Sequence, residues 1–336
     1  MKPRSLLVFF IFFALVFILV VYYFGEIRKE LRLLEKIKFY WLIAAIAAQF
    51  MTYYFSALVY RQLLRVITPD HLPHLWDLIQ ATVISLFINQ TMPSAGISGN
   101  TFFYTFFARF NIPRSRIILL IVAELLIFYA AMEATILCLL IVCIWGYKSF
   151  LAFKGTLTAG IIVYLAFGTA IALANRKNTR LHLYEKITKI SFIRKAIERL
   201  NRKMPENKPD DTENELPAFI KYNWPTLILT FLLQLLIVVA DGFTLYALFL
   251  GLGYHTPVFV VLLVLISTKI ISILPFLPGA LILYESSMSF FLVLAGIPLG
   301  TAVIVTLTYR LLSFWLPMPV GTVLYNKWLK NAPRQG

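Results

Sequence analysis

"NQTMPSAGISGN", residues Asn89–Asn100, interrupts two strongly apolar stretches. Pro93 removes a backbone donor and disfavours helix in the residue before it. Gly96 and Gly99 permit tight turns. A continuous helix does not pass through such a segment. In hydrocarbon, backbone without helical hydrogen bonds survives only where protein buries it or water reaches it. The segment therefore reads as the bend of a helical hairpin, Leu75–Phe110, that enters a membrane and returns to the same side.

The rest of the chain supplies the membrane. Of its 336 residues, 60% are hydrophobic and only 14% charged, and the mean hydropathy is +0.80. Soluble domains carry about 25% charged residues. Ser5–Phe24, Phe39–Tyr60 and Gly155–Ala174 hold no charge, and a bilayer core is crossed by about 20 apolar residues. The runs lack the polar–apolar alternation of a transmembrane barrel. The expected fold is an all-α polytopic membrane protein, one integral membrane domain over residues 1–336. Six full spans are expected: Ser5–Phe24, Phe39–Tyr60, Ile117–Trp145, Gly155–Ala174, Trp224–Leu252 and Pro298–Tyr325. The first follows a basic start at Lys2 and Arg4 but ends in Val-Tyr-Tyr-Phe without a small-x-small cleavage site, so it reads as an uncleaved span.

The net charge of +15 points to anionic lipid headgroups rather than nucleic acid, because basic residues concentrate in loops. Asn175–Tyr222 carries Arg176, Lys177, Arg194, Lys195, Arg202 and Lys203 and is placed in the cytoplasm by the positive-inside rule. Within it, Leu181–Arg202 reads either as an amphipathic helix on the membrane surface or as a solvated connecting helix. Walking outward from this loop puts both termini inside, in the cytoplasmic membrane. It also leaves Val258–Ala295 to start and finish outside, as a second hairpin from the opposite face. Gly25–Lys38, external in this scheme, runs against the rule with Arg28, Lys29, Arg32, Lys36 and Lys38.

An offset of 185 residues aligns the halves, residues 39–145 with 224–326. It places Pro93 on Pro278, Ile112-Pro113 on Ile297-Pro298, and Gln49 on Gln234. Inverted repeats with interrupted helices are a transporter signature, and the interruptions are where substrates bind. Free amides at a half-helix start favour an anion such as phosphate. The substrate-binding candidates are Asn89, Pro93, Gly96, Gly99 and Asn100 at the first bend, with Ser98, Asn100 and Thr101 as caps. At the second they are Pro278, Gly279 and Glu285, with Lys269 before it and Arg310 beyond. Two packing loops that bind nothing are the alternative.

Ionisable residues at membrane depth cost about 2.5–3.5 kcal/mol each on insertion scales and mark cavities or mutual pairs. They are Glu124, Glu133, Asp241, Lys269, Glu285 and Arg310. Arg310 and Glu124 occupy nearly matching repeat positions and are expected to meet as an ion pair. Lys269 and Glu285 are expected to flank one site, and Glu285 or Glu124 to carry a proton. The alternative is a pair network that fixes helix packing. Cys138 and Cys143 read as free thiols. His71 and His74 are separated by Leu72-Pro73, which opposes a helical ligand pair, so no metal and no cofactor is expected. No P-loop, GxSxG, HExxH or CxxC motif is present, so the chain does not read as an enzyme.

Asn89…Pro93-x-x-Gly96-x-x-Gly99 followed by Phe110-Asn-Ile-Pro-Arg114 resembles the first motif of the flippase-like family that shares its membrane region with lysylphosphatidylglycerol synthases. Pro278-Gly-Ala-Leu-Ile-Leu-Tyr-Glu285, Gly296-Ile-Pro298, Tyr309-Arg310-Leu311 and Trp315 resemble the second. The family's second and third glycines are replaced here by Ala280 and Ile282, which stiffens the bend, and no charged residue stands near Asn100. The resemblance implies the lipid-translocating half without the aminoacyl-transfer domain. The expectation is a flippase-like transporter that moves a phosphate-bearing lipid, a phospholipid or an isoprenoid phosphate, between leaflets. The rivals are an intramembrane enzyme using Glu285 or Glu124, and a non-catalytic scaffold whose basic loop holds a lipid-modifying enzyme as partner.

Overall fold

A computed structural model describes residues 38–70, 72–91, 97–145, 153–174, 215–273, 280 and 282–330. The expected first span, most of the 25–38 and 175–222 loops, the surface helix at 181–202, and Pro93, Gly96, Pro278 and Gly279 lie outside the described residues. Those described are helical, with no strand among them. In chain order they form α1 (Phe39–Ile67), α2 (Leu75–Thr91), α3 (Ile97–Ala108), α4 (Arg114–Trp145), α5 (Lys154–Ala174), α6 (Glu215–Tyr222), α7 (Trp224–Gly251), α8 (Val258–Ser272), α9 (Leu283–Leu294), α10 (Leu299–Arg310), a π-helical turn at Leu311–Trp315, and α11 (Pro317–Lys330).

Length separates two kinds of helix. α1, α4, α5, α7 and the continuous stretch Leu299–Lys330 are long and apolar enough to cross a bilayer. They coincide with the five expected spans that fall on described residues. The remaining apolar helices are too short. At 1.5 Å per residue, the 17 residues of α2 and the 12 of α3 reach about 26 and 18 Å. The 15 residues of α8 and the 12 of α9 are similarly limited, against a hydrocarbon core of about 30 Å. α2 packs on α3 and α8 on α9, as two hairpins.

The 185-residue offset carries the start of α1 at Phe39 onto Trp224, the start of α7, and the start of α4 at Arg114 onto Leu299, the start of α10. α1 and α7 form the central pair. The Lys38 amide donates to the Gly251 carbonyl at 3.0 Å, so the start of one helix meets the end of the other and the two run antiparallel. Each hairpin begins just after the C-terminal end of its long helix. The hairpins therefore enter from opposite ends of the bundle. Both helices bury small residues, Ala45, Ala48 and Ala57 on α1 and Ala247 on α7, and Gly242 of α7 lies against Leu262 of α8, the usual device where hydrophobicity does not drive helices together.

Two apolar cores form at opposite ends. One gathers Leu63, Leu64, Leu78, Phe103, Phe107 and Leu120 near the end of α1. The other gathers Leu245, Phe249, Val264, Ile266, Met288 and Val305 near the end of α7. Between them lies a polar band on α1 and α7, with Gln49, Thr52, Gln234 and Asp241 all buried.

The last span is not the uniform helix expected over Pro298–Tyr325. Pro317 has no amide to give Ser313, four residues earlier, and its ring crowds that carbonyl. The ladder widens into the π turn, with the Leu316 amide donating to the Leu311 carbonyl at 2.8 Å. The Ser313 carbonyl receives Gln90 Nε2 of α2 at 3.3 Å, which ties the inner end of the first hairpin to the broken span of the second half.

Candidate functional site

The polar band opens into a cavity of about 270 Å³ lined by Gln49, Thr52, Tyr53 and Ser56 of α1, Thr82 and Leu86 of α2, Ile237 and Asp241 of α7, Lys269 of α8, Tyr284 of α9, Tyr309 and Arg310 of α10, and Ser313 of the π turn. Both halves contribute. The α1 residues recur at three- and four-residue spacing and so share one helix face. Asp241 sits near the middle of α7, and Lys269 one turn before the end of α8.

Two ion pairs organise this cavity. Lys269 Nζ lies 2.5 Å from Asp241 Oδ2, and Lys269 keeps 28% of its side chain accessible. Arg310 Nε donates to Glu285 Oε1 at 2.6 Å, and Arg310 keeps 7%. A tyrosine pair joins them. The Tyr309 hydroxyl donates to Asp241 Oδ1 at 2.6 Å, and the Tyr284 hydroxyl donates to that of Tyr309 at 3.4 Å. The rings stack with centroids 6.2 Å apart. The Arg310 guanidinium lies 4.5 Å from the Tyr284 ring centroid and 4.4 Å from that of Phe314, which holds the cation by its flat faces.

Several polar atoms here have no partner among the described residues. Gln49 Oε1, Ser313 Oγ and Glu285 Oε2 are buried without a hydrogen bond, although the Gln49 amide nitrogen donates to Thr52 Oγ1 at 3.3 Å and to the Tyr53 hydroxyl at 3.2 Å. Leaving such an atom unsatisfied costs about 1–3 kcal/mol. Gln49 Oε1 and Glu285 Oε2 are acceptors, so a donor, from water or from a ligand, is what would meet them.

The expected residues divide. Lys269 and Arg310 line the cavity, and Glu285 reaches it through Arg310. Asn89 and Gly99 instead meet each other. Asn89 Oδ1 accepts from the Gly99 amide at 2.7 Å and from Ser98 Oγ at 3.0 Å. α3 begins at Ile97, so Ser98, Asn100 and Thr101 lie in its first turns rather than before it. Asn89, from the preceding helix, satisfies one of the amides that were expected to face an anion. A Cβ on Gly99 would collide with Asn89 and Ser85, so this glycine serves close packing of the hairpin.

The expected Arg310–Glu124 pair is replaced by two separate contacts. Glu124 accepts from Gln234 Nε2 at 3.0 Å, while Arg310 takes Glu285. Gln234 and Asp241 mark these two places on α7. They are two turns apart, about 10 Å along the axis, which is too far for one ion pair. Asp241 is more central than its apolar context suggested, and Glu133 does not line the cavity. Gln49 stands out in sequence for the repeat, and Tyr284 and Tyr309 within the second motif, but none of them, nor the Gln49–Ser56 face, is among the expected site residues. The legible signal was a polar stripe at helical spacing inside an otherwise apolar span.

Among the described residues no group of three His, Cys, Asp or Glu side chains is arranged to hold a metal. Cys138 and Cys143 are free, the first exposed and the second buried.

A family model described as the lysylphosphatidylglycerol synthase TM region matches residues 5–321. A UPF0104 membrane protein of Methanothermobacter thermautotrophicus is 28% identical over 181 residues, which cover 52% of this chain and 51% of that protein. The match thus spans about half the length of that relative.

Proposed function

The chain belongs to the family of the lysylphosphatidylglycerol synthase transmembrane region, and from that premise we propose that it moves a phosphate-bearing lipid between membrane leaflets. One observation carries this reading: a polar cavity near the middle of the bundle, lined from both halves, that pairs two cations with two carboxylates and leaves buried polar atoms unmet. A network built only to fix packing has no need of an open volume.

In this reading the lipid phosphate competes with Asp241 for Lys269 and with Glu285 for Arg310. The exchange replaces one charge-assisted contact by another, so the cavity takes a headgroup without uncovering a bare charge in hydrocarbon. The Tyr53 hydroxyl, which accepts from Gln49 Nε2, keeps its proton to donate, whereas those of Thr52, Ser56 and Thr82 donate to helix carbonyls; the acyl chains remain in lipid. The lipid leaves chemically unchanged. Phospholipid and isoprenoid phosphate share the phosphate that the site selects.

The orientation in the cytoplasmic membrane follows from charge. Arg61, Arg65, Arg109, Arg114, Arg116, Lys221, Lys327 and Lys330 lie toward one end of the helices, and Lys38 and Lys154 toward the other. The first end is assigned to the cytoplasm.

The test is a leaflet-exchange assay in liposomes with a panel of fluorescent phospholipids and an isoprenoid phosphate, comparing wild type with Arg310→Gln and Glu285→Gln at matched folding. Exchange in wild type that both substitutions abolish supports the proposal. Exchange undiminished in both removes this cavity as the route, and a change in the mass of the lipid favours the enzyme reading instead.

A further inference from the structure

A second cavity lies apart from the first and shares no lining residue with it. It encloses about 230 Å³ where the start of α2, the end of α3 and the end of α11 converge. Its walls are of two kinds. Ala81, Ile84, Phe106, Phe110 and Leu324 make it apolar on one side, and Asp77, Gln80, Arg109 and Lys327 supply charge and hydrogen bonding on the other. We propose that this cavity binds the phosphate of a phospholipid from the bilayer surface, independently of the central site.

Arg109 is fixed in place. Its guanidinium carbon lies 3.4 Å from the centroid of the Trp328 ring, and Nη1 donates to the Trp328 carbonyl at 2.9 Å. Tyr325 stacks against the Trp328 ring at 6.0 Å, and Phe102 meets it edge-on at 5.1 Å. A guanidinium has five N–H donors in a rigid fork matched to phosphate, and one of them is committed to Trp328. Lys327 is exposed and forms no ion pair with another described residue. Arg109, Lys327 and Asp77 sum to one positive charge, which suits a single phosphodiester. Asp77 and Gln80 accept from a headgroup hydroxyl or ammonium.

Depth identifies the source of that phosphate. The span ending at Lys330 has 32 residues, about 48 Å of helix at 1.5 Å per residue, so its last turns project beyond a hydrocarbon core of about 30 Å. Trp76 on α2 is 61% exposed at the same end of the bundle, and tryptophan favours the headgroup level. A mouth bearing cations at that level, above an apolar wall, matches a phosphate followed by acyl carbons better than it matches a free ion.

The experiment uses the full chain in detergent micelles, titrated with dioleoyl phosphatidylglycerol and read by native mass spectrometry. The losing arms are diacylglycerol, which lacks the phosphate, and inorganic phosphate as competitor. The expected result is one tightly held phosphatidylglycerol, weakened about tenfold or more in Lys327→Gln and in Arg109→Gln, since a charge-assisted hydrogen bond exceeds the 1.4 kcal/mol that corresponds to a factor of ten. Lys154→Gln, at the opposite end, leaves binding unchanged, and the loss in Lys327→Gln persists in an Arg310→Gln background, which separates this site from the central one. Arg109→Gln also loses the Trp328 contact and is read only if its melting temperature is retained; Lys327→Gln carries the test otherwise. Undiminished affinity in Lys327→Gln and in a folded Arg109→Gln overturns the proposal. Equal retention of diacylglycerol overturns it as well, and full displacement by equimolar inorganic phosphate assigns the cavity to a free anion and overturns the lipid source.

Discussion

Ala280 and Ile282 stand where the flippase-like pattern has glycine, and both adopt positive φ, of 51° and 70°. For a β-branched residue that conformation is an outlier; with ψ of −47° Ile282 takes the strained γ-turn form rather than the left-handed helix, and such backbone costs about 1–3 kcal/mol. Glycine returns about 0.5–1 kcal/mol of that as unfolded-chain entropy. Ile282→Gly is thus expected to raise the unfolding free energy by about 1 kcal/mol, read as a higher melting temperature in detergent. A lower one contradicts the strain. The Asp241–Lys269 pair behaves in the opposite way. Removing one partner of a buried pair costs about 3–5 kcal/mol, reduced here because Lys269 keeps 28% of its side chain accessible. Asp241→Asn is expected to destabilise the fold, and the double variant Asp241→Asn/Lys269→Met to recover part of the loss. A strictly additive double-mutant cycle would show that the two side chains do not interact.

Among the elements, the contacts that join the halves are short and specific. Gly321 of α11 sits against Phe87 of α2, where an added Cβ would overlap the Phe87 Cβ and come within 3.3 Å of the Val83 carbonyl oxygen. Because backbone and a Cβ cannot rotate away, Gly321→Ala is expected to cost about 1–3 kcal/mol, measured by chemical or thermal unfolding. A neutral result means that α11 slides on α2 without penalty. At the start of α3, Asn89→Ala removes the side-chain acceptor of the Gly99 amide. Its expected cost is about 1 kcal/mol, with faster hydrogen exchange confined to the first turn of α3. Uniform acceleration across the bundle would instead make Asn89 a global support. The π turn carries the same lesson. It places Ser313 on the cavity, just after Arg310 ends the regular helix, because Pro317 forbids the regular ladder, and widened turns of this kind are frequent at functional sites.

For the whole molecule, the antiparallel α1–α7 pair decides which ends share a face. His74 and Lys327 belong to the end where the first hairpin opens, and His255 to the end where the second opens. With Cys138 and Cys143 replaced by Ala, a membrane-impermeant thiol reagent is expected to label His255→Cys from outside intact cells. His74→Cys and Lys327→Cys are expected to react only after permeabilisation. Labelling of all three from one side would dismantle the opposed hairpins. Much of this organisation was legible beforehand. The spans follow from uncharged length, and the hairpins from the breaks at Pro93 and Pro278 together with the placement of basic residues in the loops. Lys269, Glu285 and Arg310 stood out because charge at membrane depth is costly unless it is used.

The linear chain thus settles what local chemistry controls: which segments are helical and apolar, where proline ends them, and which charges need partners. It does not settle who those partners are. Arg310 takes Glu285 rather than Glu124, and Lys269 takes Asp241, because helix packing brings those side chains within 2.6 Å and leaves the two polar places on α7 two turns apart. Tyr284, Tyr309 and the Gln49–Ser56 face become cavity walls for the same reason. A tyrosine or a glutamine is ordinary in sequence, and only the arrangement of six helices around one polar volume gives these a common function.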